Sequence, residues 1–590
     1  MFQFLAPRSP ERCNGRAFRS AANSPVLIDG WIDNGAELAN ALSLPLNGGN
    51  ERLYSAAFDQ WGDAADTRII GNYAAIVLLP DGRIRLSRSP LGAPPLFYAM
   101  DRSGVVVASS PRPIFAAGWP QKLRSSFVAD ALSWAEPDDG STAYEGVRRV
   151  LGGAITYLSP DGVEEHPWYD VTALAPTRFR RDEDYVEAGN ALLAEAVRHT
   201  LAGACKPAMS LSGGLDSGVV ADEVLRQLPA DQRLPGICFH PTDRWTTSTP
   251  REAYGDERAK VRAFAAMHPR LDLHMVENSD ERLDELAAKF WLACGCAFLS
   301  FGLATRHHAA MKAAADLGAD CLINASAGNV NFSIHSAWAM PEYFATGQWR
   351  RLWRQSRGRE GDDRSRLRRI VSLAVMPHLP PAMRHMIRDP RWGRRDTPDY
   401  RNALLDPAAF PDGGASASPN FELRNHRDWV ATYRNNYGVG AEMLHGAEQV
   451  FGIRLRDATH YRPLYEFCLT IPTRQFADEG QDRWLARRMA VGRMPEAQRL
   501  DRRSGWHDAD WWHRMAPRVP ELKRQVERVA RQPEVAPYVN IERMRALLDN
   551  FPAEDPGFGP LEQDLRFNLQ AILHVSRFVD FVNGSNGGPE

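Results

Sequence analysis

The sequence predicts an α/β protein in two unlike parts: antiparallel hairpins first, then strands alternating with helices about a parallel sheet, with a mostly helical C-terminal stretch. Three observations carry this expectation. Pro-Asp-Gly turns separate strand-like runs at two places in the first 170 residues. Beyond them, short apolar runs alternate with segments of helical period. One of those runs, "PAMSL", opens into Ser212-Gly213-Gly214-Leu215-Asp216-Ser217, and a helical segment leaves it.

In chain order, "AAIVLLPDGRIRLSRS" (74–89) reads as strand, turn and strand, a hairpin signature. "GVVVASS" (104–110) and "AITYLSPDGVEEHPW" (154–168) repeat the pattern, the latter with its turn at 160–162. Residues 171–183, polar and broken by Pro176, form a linker, which sets the expected domains at 1–172 and 173–590. A helix follows over 184–202, with Leu193, Val197 and Leu201 stacked at four-residue spacing. Next come "PAMSL", a helix from near Asp216, "LPGICFH", the helix "DERAKVRAFAAM", "LDLHMV" and "ADCLINAS". After about residue 336 the pattern is mostly helical and rich in Arg and Trp, and no internal repeat is visible. The charge-dense stretch 357–370 reads as a solvated loop and helix face, with partner binding as its alternative.

Composition excludes several classes. With 590 residues the chain holds two or more domains, and a formal net charge of −2 gives no basic field for a nucleic-acid partner. No run reaches the roughly 18 apolar residues of a membrane span, and "MFQFLAPRSPERCNGR" lacks a signal-peptide layout. Seven cysteines, an odd number, point to free thiols in a reducing compartment, so the expected location is cytoplasmic.

The loop carries the chemistry. A turn after a strand and before a helix presents free N–H groups at the positive end of the helix dipole, an anion site. Gly213 and Gly214 allow close backbone approach, and Ser212 and Ser217 add hydroxyl donors. Asp216 would repel a phosphate directly; it fits if Mg²⁺ lies between carboxylate and phosphate oxygens. The loop lacks the Gly-Lys-Ser/Thr ending of a Walker A motif. Two glycines alone would favour an ordinary βα turn. The full Ser-Gly-Gly-x-Asp-Ser set in strand–loop–helix context points to a nucleotide pyrophosphate site.

These residues resemble a known group. "SLSGGLDSGVVA" (210–221) is similar to the pyrophosphate loop of the asparagine synthetase family, ATP-pyrophosphatases that adenylate a carboxylate. "VLIDGWIDNGAEL" (26–38) and "GNYAAIVLLPDGRIRLSRSPLGAPPLFY" (71–98) resemble that family's N-terminal glutaminase-type domain, the second through Arg88, Gly92, Pro95, Leu96, Phe97 and Tyr98. "YGDERAKVRAFAAMHPRLDLHMV" (254–276) resembles the segment after the second strand of its synthetase domain. The resemblance implies an N-terminal αββα glutamine-amidotransferase-like (Ntn-type) domain and a C-terminal α/β PP-loop ATP-pyrophosphatase domain. Two departures bear on function. Phe2 stands where a glutaminase of this class needs Cys, and Cys13 lies too far along to replace it, so the attacking nitrogen is expected to arrive on a substrate. "LINASAGNVNFS" (322–333) offers Ser326, Gly328, Asn329 and Ser333 in place of an acidic Mg²⁺ motif, a pattern similar to that of proteobacterial lasso peptide cyclases.

The C-terminal part agrees with that second resemblance. "FGIRLRDATHYRPLYEFCLTIP" (451–472) matches the cyclases at Arg456, Asp457, Thr459, Glu466, Phe467, Cys468 and Leu469, while Ala458 and Tyr461 depart from them. "DRWLARRMAVGRMPEAQRLDRRSGWHDADWW" (482–512) looks like their closing segment. The resemblance implies ATP and Mg²⁺ at Ser212–Ser217, with Mg²⁺ on Asp216 and further contacts from Gly328, Asn329 and Ser333. Adenine is expected against Leu211, Ile237 and Phe239. Arg503, at the position of the synthetases' catalytic Lys, and Arg502 are expected to stabilise phosphate charge, although two surface arginines would look the same. The implied substrate is a precursor core peptide whose Asp or Glu side chain is adenylated and closed onto its own N-terminal amine. The implied partners are a leader-peptide protease and a leader-recognition protein, with no nucleic acid and no membrane. Glu448 and Glu466 are acids in the region where a base for the amine is needed, and each reads equally as a structural ion pair. Cys294, Cys296, His307 and His308 lack a second ligand pair at metal spacing and read as core or surface residues, and the tryptophans of "DADWW" as core. Two other readings stay open: a small-molecule amide or β-lactam-forming synthetase, and a non-catalytic nucleotide-binding protein.

Overall fold

The computed structural model describes residues 3–4, 18–19, 25–45, 49–91, 94–102, 104–133, 140–246, 249–277, 283–297, 301–357, 362–380, 383, 402–410, 423–433, 438–557 and 559–584. Met1, Phe2, Cys13 and Gly92 lie outside them. In the first 170 residues the strands are β1 (Gln3–Phe4), β2 (Phe18–Arg19), β3 (Pro25–Ile32), β4 (Gly71–Leu78) and β5 (Ile84–Arg88). They continue with β6 (Phe97–Asp101), β7 (Gly104–Ala108), β8 (Val147–Arg149), β9 (Ala154–Ser159) and β10 (Gly162–Pro167). The expected hairpins form as β4–β5 and β9–β10, both antiparallel.

Two sheets result, ordered β10-β9-β5-β4-β3-β2 and β1-β7-β6-β8. Successive strand residues face opposite ways, so each sheet has two distinct faces. Ala74 of β4, Leu86 of β5, Tyr98 of β6 and Val107 of β7 meet between the sheets. Tyr73, Ala75 and Val77 point outward, beneath Leu38, Leu53, Tyr54 and Ala57 of the helices Gly35–Ala41 and Gly49–Trp61. On the other side Phe97, Ala99, Val106 and Ala108 are covered by Ile114, Phe127 and helices of the C-terminal part, with Phe578 5.4 Å from Phe127. This is the expected αββα layering, and its outer layer is shared with the second half of the chain.

The C-terminal part is built on β11 (Pro207–Ser210), β12 (Leu234–Phe239), β14 (Leu271–Val276), β15 (Cys321–Asn324) and β16 (Arg454–Asp457). All pair in parallel, in the order β14-β12-β11-β15-β16. Both faces are buried, as a parallel sheet requires: Ala208, Ile237 and Leu322 on one, Met209, Cys238 and Ile323 on the other. The helices Asp182–Leu201, Leu215–Gln227 and Arg258–Met267 fall where helical period places them. β16 interrupts the expected helical stretch after residue 336. It is four residues long and too short to carry a period of its own. Among the described residues no helix is long and apolar enough to cross a membrane.

Candidate functional site

β11 is the central strand, and its neighbours set the site. The chain leaves β11 toward β12 on one side and later returns to β15 on the other. Loops at the carboxyl ends of β11 and β15 therefore diverge and leave a crevice, the position at which open α/β sheets bind ligands. Ser212–Gly214 follows β11, and the short 3-10 turn Ser326–Val330 follows β15. The two signature segments, more than a hundred residues apart, thus stand at one edge.

Within the first loop the serines hold the turn. The Ser212 and Ser217 hydroxyls lie 2.9 Å apart, and the Ser212 N–H donates to Ser217 Oγ at 3.1 Å. The Gly214 N–H donates to Ser212 Oγ at 3.2 Å. Gly213 donates its N–H to Glu257 Oε2 at 3.1 Å, and its carbonyl accepts from Gln498 Nε2 at 3.3 Å. The Lys260 stem lies across Gly213 so closely that a Cβ there would stand 2.9 Å from Lys260 Cδ. Leu215–Gln227 then begins with Gly214 as N-cap and no side-chain cap. Its N-terminal N–H groups meet no capping oxygen, which favours an anion there.

Asp216 occupies the first turn of that helix and is buried. Its Oδ1 has no hydrogen-bond partner, and neither does the buried Ser333 Oγ. Gly328 presses on the carboxylate: a Cβ at 328 would lie 2.8–2.9 Å from Asp216 Cγ, Cβ and Oδ1. Burial raises the Asp216 pKa, Arg483 and the neighbouring Ser333 hydroxyl and His335 pull it back, and the Asp457 charge raises it. Arg483 Nη1 stands 3.9 Å from Asp216 Oδ2. Asp457, at the end of β16, is occupied by the Ala327 N–H (2.9 Å) and by Thr459. A buried carboxylate oxygen without a donor is a position that a hard divalent cation can fill, while the uncapped helix start beside it suits an anion.

Next to the loop lies a small cavity of about 30 Å³, partly open to solvent. Leu211, Ser212, Ile237 and Phe239 line one wall, and Trp506–Ala509 the other. The "RRSG" segment arrives by strand pairing: β13 (Ala253–Tyr254) pairs in parallel with β19 (Ser504–Gly505). Arg503 is half-exposed and chelated by Asp501 at 2.9–3.0 Å. Burial pulls the Arg487 pKa down to about 10, and the Arg483 and Arg502 charges nearby add to the shift. The cation that touches the loop is Lys260, bonded to Asp501 at 2.6 Å and 3.4 Å above the Tyr254 ring.

The two acids are held elsewhere. Glu448 Oε1 accepts the Leu455 N–H at 2.8 Å at the amino end of β16, opposite to the loops. Glu466 is held by Arg462 at 3.6 Å, and burial raises its pKa beside Tyr169. Asn329 is exposed. Sequence reasoning missed Arg483, Lys260 and Glu257. The signal for the last two was their place in the segment after β12; Arg483 gave none, because a left-handed backbone places it. Among the described residues no group of three or more His, Cys, Asp or Glu forms a metal cluster.

Comparisons with known proteins place the N-terminal part. The family model described as a glutamine amidotransferase domain matches residues 47–169. The chain is therefore a mixed α/β protein with an N-terminal glutamine amidotransferase (Ntn-type) domain and a parallel sheet in its C-terminal half. It is 28% identical over 258 residues to amidase chry2 of Gibberella zeae, a match covering 42% of this chain and 37% of that protein. It is 25% identical over 248 residues to amidase chyE of Penicillium rubens, covering 39% and 34%. The chain thus spans little more than a third of the length of these relatives. The glutamine phosphoribosylpyrophosphate amidotransferase of B. subtilis, solved with ADP and GMP, overlays with a TM-score of 0.21 at 12% identity, covering 45% of this chain and 64% of that one.

Proposed function

We propose that the chain is an ATP-dependent amide-forming ligase that works in the manner of a lasso peptide cyclase, adenylating a peptide side-chain carboxylate and closing it onto the peptide's N-terminal amine. The observation that carries the reading is Asp216: a buried carboxylate oxygen without a donor, pressed by Gly328, at the uncapped start of a helix on the switch point of a parallel sheet. The glutamine amidotransferase domain and the amidase-named relatives support the coarser part, an enzyme acting on amides.

In this mechanism the substrate carboxylate attacks the α-phosphate of ATP, giving an acyl-adenylate and pyrophosphate. The amine then attacks the acyl carbon, AMP departs and a proton is released. The N–H groups at 215–217 hold the departing pyrophosphate, Lys260 supplies positive charge beside it, and Arg483 acts on Asp216. Asp216 and the Ser333 hydroxyl would hold Mg²⁺, which supplies charge neutralisation for the pyrophosphate when bound. Leu211, Ile237 and Phe239 form the apolar wall for the adenine. Arg503 acts through Asp501, which fixes Lys260. Ring closure gains from holding both peptide ends together and from excluding water, which would hydrolyse the adenylate.

The test is pyrophosphate exchange into ATP with synthetic peptides that carry a free N-terminus and an internal Asp or Glu. Peptide-dependent exchange, with a product lighter by one water, supports the reading. Exchange with small carboxylic acids but with no peptide replaces it by a small-molecule synthetase, and ATP binding without any exchange by a non-catalytic protein.

A further inference from the structure

The helix Trp349–Gln355 and the following helical segment 366–375 present a surface that the reaction does not use. Trp349 is 60% exposed, Trp353 50%, Leu367 70% and Val371 41%. Trp349 and Trp353 share a helix face at four-residue spacing, as do Leu367 and Val371. The two helices adjoin: Arg366 lies 4.3 Å over the Trp353 ring, and Arg369 Nη1 donates to the Ser356 carbonyl at 2.6 Å. Residues 349–371 contain nine arginines against three acids, a net charge of +6 in a chain whose total is −2.

Part of that charge is used internally. Arg351 and Arg354 reach Asp478 and Glu479 at 3.7 and 3.2 Å, and Gln355 Nε2 donates to the Gln481 carbonyl at 3.1 Å. These contacts seat the helix on the hairpin of β17 (Ala477–Asp478) and β18 (Gln481–Asp482), which runs directly into Arg483. The patch is therefore joined to the site, while its tryptophans and Arg350 face outward.

We propose that this surface binds an acidic segment of a partner polypeptide that also carries apolar side chains. Large exposed aromatic and aliphatic groups among arginines are the composition of an interface anchor with an electrostatic rim. A nucleic acid fits less well. Asp362, Asp478 and Glu479 alternate with the arginines and would repel continuous phosphates, whereas discrete carboxylates can fall between them. Leu367 and Val371 offer nothing to a phosphate backbone. The four exposed apolar side chains are divided between two separate helices, the first of only seven residues, and do not form the continuous amphipathic face that lies in a membrane interface. The proposal stands on this surface alone, whatever reaction the glycine loop performs.

Fluorescence anisotropy of a labelled synthetic peptide of Glu pairs spaced by Leu and Phe, titrated with the full-length protein, tests it. The expected result is binding that weakens with salt and is absent for the same peptide with Lys in place of Glu. Trp349→Ala and Arg350→Glu should each weaken it by roughly tenfold. Both side chains are exposed, so melting curves should not change. No binding of the acidic peptide, or equal binding by both variants, overturns the proposal. So does a Trp349-dependent preference for oligothymidylate or phosphatidylglycerol vesicles, or Trp349-dependent self-association in place of peptide binding.

Discussion

Two buried aspartates, one in each half of the chain, show how differently the same side chain can be treated. Asp66, beneath the six-stranded sheet, is fully buried, and both its oxygens are used. Oδ1 accepts from Tyr54 (3.0 Å) and Tyr73 (2.8 Å), and Oδ2 from Arg85 Nη2 (2.5 Å). Arg85 is itself completed by Asp63 and Tyr54 at 2.7 and 2.9 Å. Asp216 is buried as well, yet one oxygen has no donor and its nearest cation stands at 3.9 Å. A closed network holds a fold together; an open one is destabilising until something fills it. The difference separates a structural charge from a binding site.

The largest expected effect breaks the open network. Asp216→Ala should lower pyrophosphate exchange by about 10³-fold or more, the scale of losing a charge-stabilising group in a reaction centre. Its melting temperature should hold or rise. A buried carboxyl with a raised pKa favours the protonated native state, so the native state loses stability as pH climbs through that raised value, and Ala removes the loss. A melting temperature that falls sharply would make Asp216 structural.

Breaking the closed network should do the reverse. Arg85→Ala leaves Asp66 buried without its cation and should cost about 3–5 kcal/mol in denaturant melts. Any activity lost at assay temperature should then return on cooling. Gly328→Ala comes next. The added methyl collides with the Asp216 carboxylate, so Mg²⁺-dependent nucleotide affinity should fall by roughly tenfold or more, at a stability cost of about 1–3 kcal/mol. Equilibrium titration with and without Mg²⁺ separates that loss from unfolding.

Much of this was legible in the sequence. The strand–turn–helix form around the glycines was readable because its information is local. The hairpins of the first half followed from strand-like runs about Pro-Asp-Gly turns, and the structure adds which way each strand faces, Tyr73 and Ala75 outward, Ala74 inward. What escaped depends on distant chain segments. Glu448 and Glu466 lie near the β16 motif in sequence. Sequence distance does not say at which end of a strand a side chain will stand, and Glu448 is at the far one. Arg503 was expected to face the phosphates, but Asp501 chelates it, and Lys260, from a helix 243 residues earlier, reaches the glycine loop. Arg483 was hidden because a left-handed backbone (φ 56°) turns it at the start of the helix Trp484–Met489. No residue type announces that turn.

Arg483 also supplies the smallest and sharpest test of the comparison. It donates to His335 Nε2 at 3.1 Å, and His335 is fixed by Asp482 at 2.6 Å, so its guanidinium is held rather than closed onto the aspartate. At 3.9 Å it lowers the Asp216 pKa without occupying the orphan oxygen. Arg483→Ala should therefore let that pKa climb further. Activity or Mg²⁺ binding that needs the ionised carboxylate should fail at a higher pH, moving the acid limb of the profile upward. The rate at the alkaline plateau, where Asp216 is ionised in either protein, should change by less than about threefold, since an ion pair this long contributes little. A large plateau loss with an unmoved acid limb would instead put Arg483 in contact with the phosphates, and the carboxylate's pKa would then be set by burial alone.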